Sequence, residues 1–289
     1  VNPHQGIPAG YVGLTGPANS GKSTLFNVMC SNTISPVTGF PGTTRLPLMG
    51  IRVDRKSQIC FVDTPPLEKE KELGIFDWMD LVCLVLDTRS FSAQLGEGYV
   101  TRLLDRTACP LILVLTFPDY YPAILRGALL SQVPERQRFA TVKSVCPPRG
   151  DGVEELHRAI TARLPMRERL FPEDCGTLHS ERFLVSEQIR KELYNILPTE
   201  IASTTAVQVE EFSQRDGKTY VRANLHVARH LSKGVVIGRK GQTLQRIVLS
   251  STESAGELLR RPVYIDLWVK VREGWPDNPR DLLEFGYVC

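Results

Sequence analysis

Eight residues carry the first recognisable chemistry: Gly16-Pro17-Ala18-Asn19-Ser20-Gly21-Lys22-Ser23. The order Gly, four residues, Gly-Lys-Ser is that of a phosphate-binding loop. Backbone amides of such a loop, with the N-terminus of the helix that follows, point at phosphate oxygens. Lys22 then supplies a positive charge for the β- and γ-phosphates, and the hydroxyl of Ser23 ligates Mg2+. Asn19, Ser20, Gly21, Lys22, Ser23 and Thr24 are therefore the candidate nucleotide-binding residues. Two further positions fit the same chemistry. Thr44, in Gly42-Thr43-Thr44-Arg45, offers a hydroxyl, and Asp63, closing an apolar run, offers a carboxylate, both oxygen ligands of the kind Mg2+ takes.

A second set lies towards the other end. Gly238-Arg239-Lys240-Gly241 is a Gly-x-x-Gly turn with two cations at its tip. Glycine has no side chain, so a nucleic-acid backbone can approach such a turn closely. Arg239 and Lys240 place charge on phosphates. Lys233, Gly238, Arg239, Lys240, Gly241 and Arg246 are the candidate RNA-binding residues, over an apolar groove read as Val235, Val236, Ile237 and Leu244. Residues 215–246 hold eight Lys or Arg against one acid, Asp216, while the chain from 166 onward holds 18 basic and 17 acidic residues. The positive charge is thus expected on one part of this region. His226 and His230 read as surface or RNA-edge residues rather than metal ligands, and Trp268 and Trp275 as packing anchors.

The elements that must position these groups follow from hydrophobic period. Residues 11–15 read as a buried strand before the loop and 24–29 as a helix after it. Continuous apolar runs at 58–63, 81–87, 111–115 and 139–142 suit a parallel sheet covered on both faces, with helices at 98–106 and 153–163. The first region is thus a doubly wound α/β domain, whose ligands belong at the carboxyl ends of the strands. After Pro165-Met166-Arg167-Glu168-Arg169-Leu170-Phe171-Pro172 the period changes. Val185, Ile189, Leu193 and Ile196 recur at helical spacing, residues 206–212 and 219–227 alternate as a hairpin around Asp216-Gly217, and 263–271 alternates as a last strand. Helices are expected at 242–249 and 252–260. The expected boundaries are 9–165 for the α/β domain, 166–180 for a linker and 181–289 for an α+β RNA-binding domain.

Composition excludes little. A length of 289 residues allows about two domains, and a net charge of +3 names no partner. No apolar run approaches the roughly 18 residues of a membrane span. The seven cysteines form no CxxC pair, and Cys60 and Cys83 sit in apolar runs as buried thiols, which fits a reducing compartment.

Residues 16–27, Gly42 to Arg45 and Asp63-Thr64-Pro65 resemble the Era branch of translational GTPases, in the group that also contains TrmE. The order α-β-β-α-α-β around the Gly-x-x-Gly turn resembles a type II KH domain. Residues 267–275, Leu-Trp-Val-Lys-Val-Arg-Glu-Gly-Trp, the ending Leu283-Glu284-Phe285-Gly286-Tyr287 and the junction Phe171-Pro172-Glu173-Asp174 extend the Era likeness over nearly the whole chain. The resemblance implies GTP or GDP with Mg2+, Thr44 closing over Mg2+ and the γ-phosphate, and Asp63 holding Mg2+ through water. Asn19 matches an asparagine that helps coordinate K+ in some members. The resemblance also implies a ribosome-assembly factor that binds small-subunit rRNA near its 3′ end, among ribosomal and assembly proteins of that subunit. The expected compartment is the mitochondrial matrix, with a bacterial cytoplasm or a chloroplast as the alternatives.

Departures from the family pattern are specific. Pro66 replaces the glycine whose amide meets the γ-phosphate, and proline has no N–H. The guanine-reading Asn-Lys-x-Asp is here Thr116-Phe117-Pro118-Asp119, in which only Asp119 survives. The last base motif reads Ser144-Val145-Cys146, with Ser144 matching, and Leu67 stands where a Ras-like enzyme has its water-orienting glutamine. Three readings stay open: a nucleotide-holding factor with weak or absent hydrolysis, an active GTP switch, and an NTPase of relaxed base choice that also accepts ATP.

Overall fold

The computed structural model describes residues 6–30, 47–64, 74–96, 98–120, 123–173 and 175–285, the side chains of 123–126 apart. Thr44, Pro66, Leu67 and the Glu68-Lys69-Glu70-Lys71-Glu72 run lie outside these residues. The chain divides into two compact units, the described residues up to Leu178 forming the first and those from His179 the second.

The first unit contains β1 (Ile7–Thr15), α1 (Lys22–Cys30), β2 (Leu48–Asp54), β3 (Ser57–Asp63), β4 (Leu81–Asp87), α2 (Phe91–Gly96), α3 (Tyr99–Arg106), β5 (Leu111–Thr116), α4 (Ala123–Leu130), β6 (Phe139–Val145), α5 (Val153–Thr161) and β7 (Met166–Arg167). Among the described residues its sheet has seven strands, ordered β2-β3-β1-β4-β5-β6 with the short β7 beside β1. The pairs β1–β3, β1–β4, β4–β5 and β5–β6 are parallel. β3, β4 and β5 are buried along their whole length, which is why they read as unbroken apolar runs. The sequence reading missed β2. It pairs antiparallel with β3 through the two-residue turn Arg55-Lys56 and forms the sheet's edge.

Residues 166–177 run back along this unit. Arg167 pairs with Ile7, Gln58 exchanges side-chain hydrogen bonds with the backbone of Phe171 at 2.7 and 2.9 Å, and the Thr177 hydroxyl donates to Met49 O at 2.8 Å. Gly50 bridges to Thr177, and Ile51 N donates to Gly176 O at 2.8 Å.

The second unit contains α6 (Glu181–Ile196), α7 (Thr199–Ala202), β8 (Thr205–Arg215), β9 (Lys218–Val227), α8 (His230–Ile237), α9 (Gln242–Leu259), β10 (Val263–Val271) and α10 (Pro279–Glu284). Its sheet is ordered β10-β9-β8, with β9–β10 parallel and β8–β9 an antiparallel hairpin. Asp216 (φ 52°) and Gly217 (φ 71°) are both left-handed, the geometry of a tight hairpin turn. Ser180 caps α6 by accepting from Phe183 N at 3.2 Å. Val185, Ile189 and Leu193 of α6, Ile247 and Ala255 of α9, and the inward residues of β9 and β10 make one core.

Several sequence expectations change here. α9 is one helix through 259, not two, because Ser251 and Ala255 turn into the core and fix the segment that reads as a break. Val235, Val236 and Ile237 belong to α8, and Val236 is buried, so it is not available to a groove. Trp275 is an anchor, 1% exposed with its indole N–H donating to Thr204 O at 2.9 Å, but Trp268 is 59% exposed. His226 is buried, stacked on Phe285 and bonded to Gln208, rather than at the surface.

Candidate nucleotide and RNA sites

The first site gathers at the carboxyl ends of β1, β3, β5 and β6. Residues 16–21 turn from β1 into α1 through backbone that only small residues adopt easily. Gly16 and Gly21 have φ of 150° and 89°, and Asn19 has φ 60°. A Cβ on Gly16 would overlap Val85 O, and one on Gly21 would press on Thr116 Cγ2 at 3.3 Å. The loop is thus held against β4 and β5 with no room to thicken. The Lys22 Nζ donates to Gly16 O at 2.8 Å and Pro17 O at 2.7 Å. Burial pushes the Lys22 ammonium down to about 8, with Asp63 opposing that shift. Ser20 is buried, and among the described residues its Oγ has no hydrogen-bond partner. A buried cation and an orphaned hydroxyl in a glycine cradle fit a bound phosphate group, and the Ser23 hydroxyl with the buried Asp63 carboxylate is a donor set suited to Mg2+.

The base side is built from β5 and β6. Thr116 is buried, and its hydroxyl donates to Ser20 O at 2.8 Å, tying the end of β5 to the phosphate loop. Phe117 is left-handed (φ 53°), and the Thr88 hydroxyl donates to its carbonyl at 2.6 Å. The Arg89 guanidinium lies over the Phe117 ring, 3.5 Å from its centroid, and is held by the buried Asp87 through bonds of 2.7–3.1 Å. Asp119 is exposed and pairs with Arg149, whose Nε also donates to Asp151 at 2.7 Å. Ser144 lies in β6, where its carbonyl is crossed by Gly152 so closely that a Cβ there would overlap it. Thr44 lies outside the described residues.

The second site is the turn between α8 and α9. Gly238 has φ 72° and ψ 177°, Lys240 has φ 51° and Gly241 has φ 80°. Arg239 and Lys240 are exposed at the tip, Arg246 is exposed on α9, and Lys233 is half-buried on α8. Among the described residues none of these four cations makes an ion pair. The basic run of the sequence is split by the fold. Arg215 and Arg222 lie on the hairpin, within 3.8 Å of Glu211, and Arg222 also meets Asp266. Arg239 and Lys240 thus stand exposed and side by side at the turn, with Lys233 and Arg246 on the helices that flank it.

Comparison with known proteins adds to this geometry. The family profile described as 50S ribosome-binding GTPase matches residues 11–117, and that of the KH domain matches residues 200–276. The GTPase Era of Carboxydothermus hydrogenoformans is 32% identical over 294 residues, covering 97% of this chain and 98% of its own. That of Geotalea uraniireducens is 32% identical over 293 residues, covering 96% and 97%. The chain belongs to the Era family. An Aquifex aeolicus Era variant bound to GDP·AlF4− superposes with a TM-score of 0.91 at 27% identity, over 98% of this chain and all of that one. Era in complex with MgGDPNP and nucleotides 1506–1542 of 16S ribosomal RNA superposes at 0.89 with the same identity and coverage. Within this Era-family chain, sequence reasoning passed over Arg149, Arg89 and Asp87. Arg149 and Arg89 meet the base-motif residues Asp119 and Phe117 from far along the chain, and the one signal was the basic residue in the loop after Ser144-Val145-Cys146. Among the described residues no cluster of His, Cys, Asp and Glu fits a metal, and no helix is long and apolar enough to cross a membrane.

Proposed function

We propose that this chain binds the 3′ region of small-subunit rRNA through the turn at residues 238–241 and serves assembly of that subunit alongside its ribosomal and assembly proteins. The observation that carries this reading is the pair of exposed cations, Arg239 and Lys240, without an ion pair among the described residues, on a turn between two glycines. The relative solved with nucleotides 1506–1542 of 16S ribosomal RNA supports the choice of RNA. Lys233, Gly238, Gly241 and Arg246 complete the contact surface. The test is binding of that 3′ segment to Arg239→Asp with Lys240→Asp. A folded double variant should lose at least about tenfold in affinity at moderate salt, with a shallower salt dependence as two phosphate contacts are lost. Unchanged affinity and unchanged salt slope would reject the turn as the RNA site.

The first unit, on this reading, holds a guanine nucleotide with Mg2+ through Asn19, Ser20, Gly21, Lys22, Ser23, Thr24 and Asp63, with Thr44 closing on the metal, Asp119 and Ser144 on the base side, and Asn19 available to K+. Turnover is weak. Pro66 removes an amide donor and fixes φ, so the contact is not recovered by a small rotation. Wild-type protein should bind GDP and a non-hydrolysable GTP analogue with similar affinity in calorimetry with K+ present, and Pro66→Gly should favour the triphosphate. The rival reading, a working switch, is favoured by the intact Lys22, Ser23 and Asp63 set. A strong triphosphate preference in the wild type, or multiple turnover stimulated by the small subunit, would decide for it. The proposed compartment is the mitochondrial matrix, and fractionation of cells expressing the tagged protein tests that placement.

A further inference from the structure

The base side of the first unit carries a charged pair that the motif reading does not contain. Arg149 ends a short turn, residues 147–149, that opens with two prolines, so its backbone is stiff. That turn is closed by Arg149 N donating to Cys146 O at 3.0 Å and Cys146 N donating to Asp151 O at 2.9 Å. The guanidinium is gripped from two sides, by Asp151 at Nε and by Asp119 at Nη2. Both bonds leave other N–H groups of the fork available, since guanidinium carries five donors. Asp119 likewise meets Arg149 through Oδ2, and a carboxylate has acceptor positions beyond that one bond. Arg149 and Asp119 keep 55% and 63% of their side-chain surface open, so a flat ligand edge can reach both.

We propose that Arg149 is a specificity-determining residue of the nucleotide site, donating to the O6 carbonyl of a 6-oxopurine whose N1–H and N2–H donate to Asp119. Beside the phosphate loop, the pair presents a donor next to an acceptor. A 6-oxopurine presents the complement, an acceptor next to a donor, whereas adenine presents N6–H next to the bare N1, the opposite order. Phe117, capped on one face by Arg89 and tethered by Thr88, provides an aromatic surface that favours planar bases without choosing among them. Base choice then comes from the Arg149–Asp119 pair, in a chain that has Thr116-Phe117 where its relatives' motif has Asn-Lys. This inference rests on the reading of the first unit as a nucleotide site and names which base that site selects and how.

The experiment measures affinities of GDP, IDP and ADP for the full chain, for Arg149→Ala and for Asp119→Ala, by calorimetry with Mg2+ present. IDP keeps O6 and N1–H and lacks the N2 amino group. Arg149→Ala should lose about tenfold for GDP and for IDP alike, and leave ADP unchanged, the cost of one desolvated charge-assisted hydrogen bond. Asp119→Ala should weaken GDP more than IDP. Equal affinity of wild type and Arg149→Ala for GDP overturns the proposal, and so does a gain in GDP affinity, which would make Arg149 a plug over Asp119. Arg149→Lys, which keeps charge but not the fork, separates the two roles: it should recover less than half of the lost free energy if the fork reads O6. Failure of all three nucleotides to bind the wild type would overturn the nucleotide-site reading itself, and this inference with it.

Discussion

The two glycines of the second unit's turn are not equivalent, and exchanging each for alanine should separate them. Gly238 lies at φ 72° and ψ 177°, a region open only to glycine, where another residue costs about 1–3 kcal/mol. A Cβ there would also stand 2.7 Å from Thr243 Cβ and 2.9 Å from Thr243 N, and closer still to Thr243 Oγ1. Rotating the hydroxyl away leaves the other two overlaps, so the first turn of α9 must move, at about 1–3 kcal/mol more. Gly241 lies at φ 80° with no atom within 4 Å of where a methyl group would stand, so its alanine variant meets backbone strain alone, about 1 kcal/mol. The expected gap is about 3 kcal/mol, which for a unit of this size is about 12 °C or more in Tm. Scanning calorimetry of the full chain reads the second unit's transition, and hydrogen exchange of the α9 amides assigns it. If Gly238→Ala melts within about 4 °C of Gly241→Ala, the close approach to Thr243 is not what makes Gly238 necessary.

Two further outcomes follow from the first unit. Lys22 has its ammonium lowered from 10.5 to about 8 by burial, so the folded, ligand-free protein releases that proton before the unfolded chain does. The destabilisation this causes is fully present below pH 8 and fades as pH rises from about 8 to 10.5, while phosphate affinity, which needs the charged form, should fall about tenfold per pH unit above 8; a flat affinity between pH 7 and pH 9.5 would contradict the buried-lysine geometry. Thr116→Val keeps shape and removes the donor to Ser20 O, so nucleotide affinity and stability should both drop by about 1–3 kcal/mol, and an unchanged affinity in calorimetry would show that the tie to the phosphate loop is idle.

The phosphate loop was legible because its chemistry is local: glycines, lysine and serine act within one turn and need only a strand before and a helix after. The buried strands were legible for a similar reason, since β3, β4 and β5 have no solvent face to interrupt them. β2 was not, because its turn, Arg55-Lys56, lacks the usual glycine or asparagine and Gly50 breaks its pattern. α8 was hidden by Val235-Val236-Ile237 among three glycines, a composition that reads as strand or turn, and packing of Val236 overrides it. Trp268 follows from the strand's own alternation: Val263, Ile265 and Leu267 face inward, so the residue after Leu267 faces out. His226 and Arg149 needed the fold, since Phe285 and Asp119 reach them from far along the chain.

The return of residues 166–177 onto the first unit has a consequence for the order in which the chain is made. β2 is the sheet's edge, and its backbone at Gly50 and Ile51 is matched by Gly176 and Thr177. During synthesis β2 and β3 emerge long before the residues that cover that edge, so for an interval the nascent sheet ends in an open ladder able to recruit a foreign strand. Completion of the first unit is thereby tied to translation through Thr177, well past the last helix of its α/β pattern. A polypeptide released at 165 would carry every candidate nucleotide-site residue and still lack its own selvedge.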